Sequence, residues 1–176
     1  TIAPTQPVWS RRELRPVVSG GGWATSSASR LGGRASGQWE RRESRVQDID
    51  LRVRQLGFEG RCCTQIMVQM ALEERAEENS QMVEASGALC LGLFEGLACG
   101  ALTGGALAMA ILAGERPDGA LLMELVDWFK AEYGLTDCDV LDGDDASLQL
   151  TRCPGMVAGT YEQAREILDA HGLLPG

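Results

Sequence analysis

The chain is 176 residues long with a formal net charge of −9, and it holds six cysteines but a single histidine. That length has room for one ordinary domain with a real core. The acidity repels a phosphate backbone, so no nucleic-acid partner is expected, and the lone His171 leaves His-based triads and mixed Cys/His zinc sites almost nothing to draw on. The charge is also uneven: residues 1–54 hold ten Arg against five acidic residues, whereas residues 55–176 hold six Lys+Arg against twenty.

Residues 1–44 are rich in Ser, Gly and Arg without helical or strand periodicity, which predicts a disordered, dispensable extension ahead of a helical domain over 45–176. From about Arg45, Val46, Ile49, Leu51, Val53 and Leu56 recur at helical spacing up to Gly57. A second helix is expected from near Cys62 through Ile66, Val68, Met70 and Leu72 to the acidic stretch EERAEEN. Asn79 or Ser80 then caps a third, through Met82, Val83 and Leu89, which Gly92 and Gly96 loosen.

A fourth helix is predicted from about Cys99 to Ala113, closed by Gly114 and Pro117, and Asp118 caps a fifth that ends at Gly134. After the polar DGDDAS connection, TYEQ reads as a capping box that opens the last helix at Thr160, ending at His171-Gly172. No run alternates with period 2 for long enough to make a strand, so the expected class is all-α, a compact bundle of five to six helices. Residues 96–114 contain no charged side chain, but glycines at 96, 100, 104 and 105 and the acidic flanks favour a buried central helix over a membrane span. Aromatic and Met residues at helical spacing, here Trp128, Tyr133, Met109 and Met123, are read as core.

The cysteines cluster at expected helix starts: Cys62 and Cys63 at the second helix, Cys99 at the fourth, Cys138 at a short turn, and Cys153 before Pro154. Unpaired backbone N–H groups and the positive end of the helix dipole favour a thiolate there, the form that acts as nucleophile and as metal ligand. Arg61 and Arg152, directly before cysteines, point the same way. Cys90, between Leu89 and Leu91, is expected to be a small buried hydrophobe. No CxxC, Gly-rich phosphate loop, GxGxxG or Ser/His/Asp constellation is present, which excludes nucleotide-binding and hydrolase readings.

CCTQIM, then CGALTG, then two single cysteines in that order resemble the C_GCAxxG_C_C redox-active protein family over about residues 48–173. The resemblance implies a small bacterial or archaeal cytoplasmic helical protein. It implies a characteristic set of Cys63, Cys99, Cys138 and Cys153, with Cys62 and Cys90 as additions. The expectation is that these four thiols converge as a dithiol/disulfide or as a sulfur-ligated metal site, for which an iron–sulfur cluster or Zn are the candidate cofactors. Gly100 and Gly104 are expected to let a helix end, substrate or cluster approach Cys99 closely. Two other classes stand beside this one: a non-catalytic accessory or metal-carrying subunit docking a partner oxidoreductase through its acidic segments, and a helical homodimer joined through the glycine face with structural cysteines.

Overall fold

The computed structural model describes residues 35–142 and 146–174, and these are helical with no strand among them. The helices are α1 (Ala35–Phe58), α2 (Cys63–Glu74), α3 (Ser80–Ser86), α4 (Gly100–Ala113), α5 (Gly119–Tyr133), α6 (Cys138–Asp142) and α7 (Ala146–Ala170), with a 3-10 turn at Gly87–Leu89 and a wide turn at Gly92–Gly96 between α3 and α4. The all-α expectation therefore holds. No helix among the described residues is long and apolar enough to cross a membrane.

Local signals explain most boundaries. The Asn79 side chain accepts the Met82 N–H at 2.9 Å and Asp118 accepts the Ala120 N–H at 3.2 Å, each satisfying a donor that the first turn leaves open. Gly114 closes α4 at φ 73°, a conformation that costs a residue with a Cβ far more than glycine.

α1 departs from the expected boundary, since it begins at Ala35 rather than near Arg45, so residues 35–44 are helical. The rest of the expected extension, 1–34, lies outside the described residues. The missing apolar periodicity is explained by charge: Arg42 pairs with Glu166, and Arg45 Nε lies 3.5 Å from Glu162 Oε1, both acids on α7. Further along α1, Ile49, Val53 and Leu56 share one buried face, while Val46 and Leu51 stay exposed.

α2 and α4 make the most extensive helix pair, and α7 packs on α4, α1, α5 and α2. The core at their junction holds Met67, Ala71, Ala108, Met109, Leu112, Leu125, Phe129, Ala164 and Leu168. The glycine face of α4 makes this close approach possible: a Cβ on Gly104 would lie 2.8 Å from Met67 Cγ and 3.1 Å from Thr64 Cα, and one on Gly105 would lie 2.8 Å from Thr160 Cγ2. That face is thus covered by α2 and α7 of the same chain.

The last helix also differs from expectation. It starts at Ala146 and continues through Pro154, so Thr160 is not a cap; its hydroxyl donates back to the Met156 carbonyl at 2.7 Å. Pro154 removes one i→i−4 bond, but Met156, Val157, Tyr161, Ala164, Ile167 and Leu168 beyond it are all buried and hold the helix in place.

Arg52 of α1 clamps α2, donating to both oxygens of Glu73, Nε to Oε2 at 2.9 Å. The hydrogen bond from Arg52 holds the Glu73 carboxyl below its ordinary value, against partial burial. A carboxyl depressed in the folded state stabilises above its unfolded value and loses that contribution as the pH falls through the folded one. Arg52→Ala is therefore expected to cost up to about 1 kcal/mol at pH 7, because both side chains are about a third exposed, and almost nothing at pH 3. Urea melts of both proteins at the two pH values check this, and an equal loss at pH 3 would remove the ion pair as the cause.

Candidate cysteine cavity

Four separate segments bring cysteines to one place. Cys62 is the N-cap of α2 and Cys63 its first residue, Cys99 is the N-cap of α4, and Cys138 begins α6. Cys153 lies within α7 rather than at a helix start, because that helix does not break at Pro154. An isolated antiparallel bridge between Ala98 and Asp137 ties the start of α4 to the start of α6. Its bonds run from Cys99 N–H to the Thr136 carbonyl and from Cys138 N–H to the Leu97 carbonyl, each 2.7 Å.

All four cysteines of the expected set, Cys63, Cys99, Cys138 and Cys153, line a single cavity of about 340 Å³, together with Cys62. Val53 and Phe58 of α1, Ile66 of α2, Leu91, and Met156 and Val157 of α7 supply apolar walls, and Arg54 and Arg61 supply the charge. Both cations are matched, Arg54 by Asp50 at 2.8 Å and Arg61 by Glu84. The Arg152 guanidinium donates to the Leu141 carbonyl at 3.0 Å, tying α7 to α6. Cys99 and Cys138 are buried, while Cys63 and Cys153 are half-buried. Such a pocket, mostly apolar with a few convergent reactive groups and in the size range of small-molecule sites, is what a small substrate needs.

The glycines divide in role. Gly100 faces Cys63, and a Cβ there would overlap the Cys63 sulfur and come within 2.9 Å of Thr64 Oγ1. The missing side chain thus makes room for a cysteine of this chain, beside Cys99. Gly104, also expected to leave space for a ligand, faces Met67 and Thr64 and is filled by helix packing.

Cys90 is buried as expected, but it is not a free core residue within a helix. It ends the 3-10 turn and forms a disulfide with Cys62, with Cα atoms 6.1 Å apart, inside the normal range for such a bond. Neither spacing nor an even cysteine count singles out this pair, so the sequence carries no signal for it.

Tyr133 is a neighbour of the site that its core reading missed. Burial pushes its hydroxyl up, with the charges of Glu132 and Cys99 acting the same way and a hydrogen bond with Thr160 acting against them. The Cys99 sulfur is therefore within electrostatic reach of the Tyr133 oxygen. Trp128 and Phe129 hold the ring edge-on at centroid distances of 5.7 and 4.8 Å. Met109 is core as expected, whereas Met123 is 66% exposed.

The donor set does not fit a metal. Among the described residues no group of three or more His, Cys, Asp or Glu side chains is placed to hold a metal ion. The expected ligand set of Cys63, Cys99, Cys138 and Cys153 shares a cavity without forming a coordination cage, which requires every sulfur within bonding reach of one centre.

The described residues thus form a helical domain with cysteines from four segments around one cavity and a disulfide at its edge. The profile of the family described as "Putative redox-active protein (C_GCAxxG_C_C)" matches residues 61–167, and the chain belongs to that family. No curated protein and no solved structure matches it.

Proposed function

We propose that the cavity performs thiol–disulfide exchange on a small disulfide, with Cys63 as the attacking sulfur and Cys99 as the resolving one. The observation that carries this reading is the close approach at Gly100, the residue that follows Cys99, where the Cys63 sulfur fills the space of a missing side chain and both cysteines line one cavity. Cys63 is the half-buried member of the pair and lies at the first position of α2, on the wall of the cavity.

The Cys63 thiolate attacks one sulfur of the substrate R–S–S–R′, forming a Cys63–S–S–R bond, and R′S⁻ leaves and takes up a proton. The Cys99 thiolate then attacks the Cys63 sulfur, closing a Cys63–Cys99 bond, and RS⁻ leaves. Two protein thiols lose two electrons and two protons, and the substrate disulfide gains them. The buried positions of Cys99 and Cys138 favour a small-molecule disulfide over one on a folded protein surface.

The test equilibrates the protein in buffers of reduced and oxidised dithiothreitol and maps the disulfides by mass spectrometry. A reversible Cys63–Cys99 bond is expected, lost in Cys63→Ser and Cys99→Ser alike, with turnover of a small aryl disulfide falling at least 100-fold in both. Thiols that stay reduced across the whole range would overturn the reading. Stoichiometric Fe or Zn in anaerobically purified protein, with the four thiols protected from alkylation, would replace it by a metal site.

A further inference from the structure

We propose that the Cys62–Cys90 disulfide, which lies outside the characteristic four-cysteine set, is a second redox site: a reversible latch on the wall of the cavity. When closed it holds the strap 90–97 in place, and when reduced by a dithiol it lets the strap relax and opens access to the cysteines behind it.

The strap is tethered at both ends and unfavourable between them. At one end Cys90 is bonded to Cys62 at the start of α2. At the other, Ala98 is bridged to Asp137, and the Asp139 carboxylate packs over Gly96. In between, three residues with side chains, Leu91, Leu93 and Phe94, occupy left-handed backbone at φ 51°, 62° and 61°. That conformation is costly away from glycine and persists only where surrounding structure imposes it. Leu91, Leu93, Phe94 and Leu97 are also 42–66% exposed, so little apolar burial offsets the cost. Leu91 and Cys62 both line the cavity, so the tether is part of its wall.

The sulfur open to attack is that of Cys62, half-buried at the cavity, whereas Cys90 is 2% exposed. One thiolate of the dithiol bonds to the Cys62 sulfur and expels Cys90 as a thiolate, which takes up a proton. The second thiol attacks the mixed disulfide, releases Cys62 and closes the dithiol to its own disulfide. Two electrons pass from the dithiol to the latch.

Hydrogen exchange on the full chain, oxidised and after treatment with dithiothreitol, tests the latch. The Phe94, Gly96 and Leu97 amides, bonded to the Cys90, Leu91 and Gly92 carbonyls, report on the strap. They are expected to exchange at least tenfold faster after reduction and to recover on reoxidation, while the α4 amides stay within twofold. Cys62→Ser keeps an N-cap oxygen for α2 and is expected to reproduce the reduced state, with iodoacetamide labelling of Cys63 at least fivefold faster than in the oxidised protein. Unchanged strap exchange, equal acceleration in strap and α4, or a bond that a dithiol cuts only in denaturant would each overturn the proposal. The strap amides respond whether or not Cys63 and Cys99 can pair, so failure of the exchange reading remains distinguishable from failure of the latch.

Discussion

Reducing the Cys62–Cys90 bond, or replacing either partner, is expected to lower the unfolding free energy by about 3–4 kcal/mol. The loop-closure argument gives that figure for two residues 28 apart: the bond removes conformations from the unfolded chain, and the entropy regained on cleavage favours unfolding. Relief of the left-handed strap reduces the net loss in the folded state, so a value below that range is the sign of strain rather than of a weak cross-link. Urea melts of the oxidised protein, the reduced protein and Cys62→Ser give the number directly. Reduced protein and variant should agree within about 0.5 kcal/mol. A midpoint unchanged by reduction would mean that the bond does not form in solution.

Gly104→Ala carries the second large effect, and its sign is decided by packing against propensity. Alanine is favoured over glycine inside a helix by about 1 kcal/mol, yet the new Cβ would stand 2.9 Å from Met67 Cβ and 3.1 Å from the Thr64 backbone. Neither atom is the free end of a flexible side chain, so α2 and α4 must part. A net loss of about 1–3 kcal/mol is expected. Gly155→Ala supplies the contrast: nothing lies within 4 Å of the place its methyl group would take, and a gain of up to about 1 kcal/mol is expected. Because Gly100 lies one turn before Gly104, parting the helices also withdraws the Cys63 sulfur from Cys99. Gly104→Ala should therefore slow Cys63–Cys99 bond formation at least tenfold while leaving both thiols present. Stabilisation by Gly104→Ala would show that the interface yields.

Much of the fold was legible because its signals are local. Asn79 and Asp118 accept N–H groups two or three residues ahead, and Gly114 takes up a left-handed turn; each acts within one turn of its own residue. The boundaries that failed depend on distant partners. The start of α1 is tied to Glu162 and Glu166 of α7, more than a hundred residues away, and α7 passes through Pro154 because the residues beyond it are fixed in the core. TYEQ has the letters of a capping box, but Thr160 lies mid-helix, where its hydroxyl turns back to Met156.

The candidate site was legible in its membership and less so in its wiring. The family resemblance picked out four of the five cysteines that line the cavity, and Cys62, set aside as an addition, is the fifth. That the gap at Gly100 is filled by Cys63, and that Cys90 reaches Cys62, are facts of tertiary approach that no local pattern encodes.

The bridge between Ala98 and Asp137 has a consequence for how the site comes into being. It joins the beginnings of two helices separated by the whole of α4 and α5, so the cavity has no wall at Cys138 until both have folded back. Vectorial synthesis releases Cys62, Cys63 and Cys90 first, and a Cys62–Cys90 bond can close on a chain that still lacks α7. The cavity, by contrast, is complete only once α7 supplies Cys153, Met156 and Val157, so a chain cut between Cys138 and Cys153 keeps both partners of the Cys62–Cys90 bond and lacks that wall.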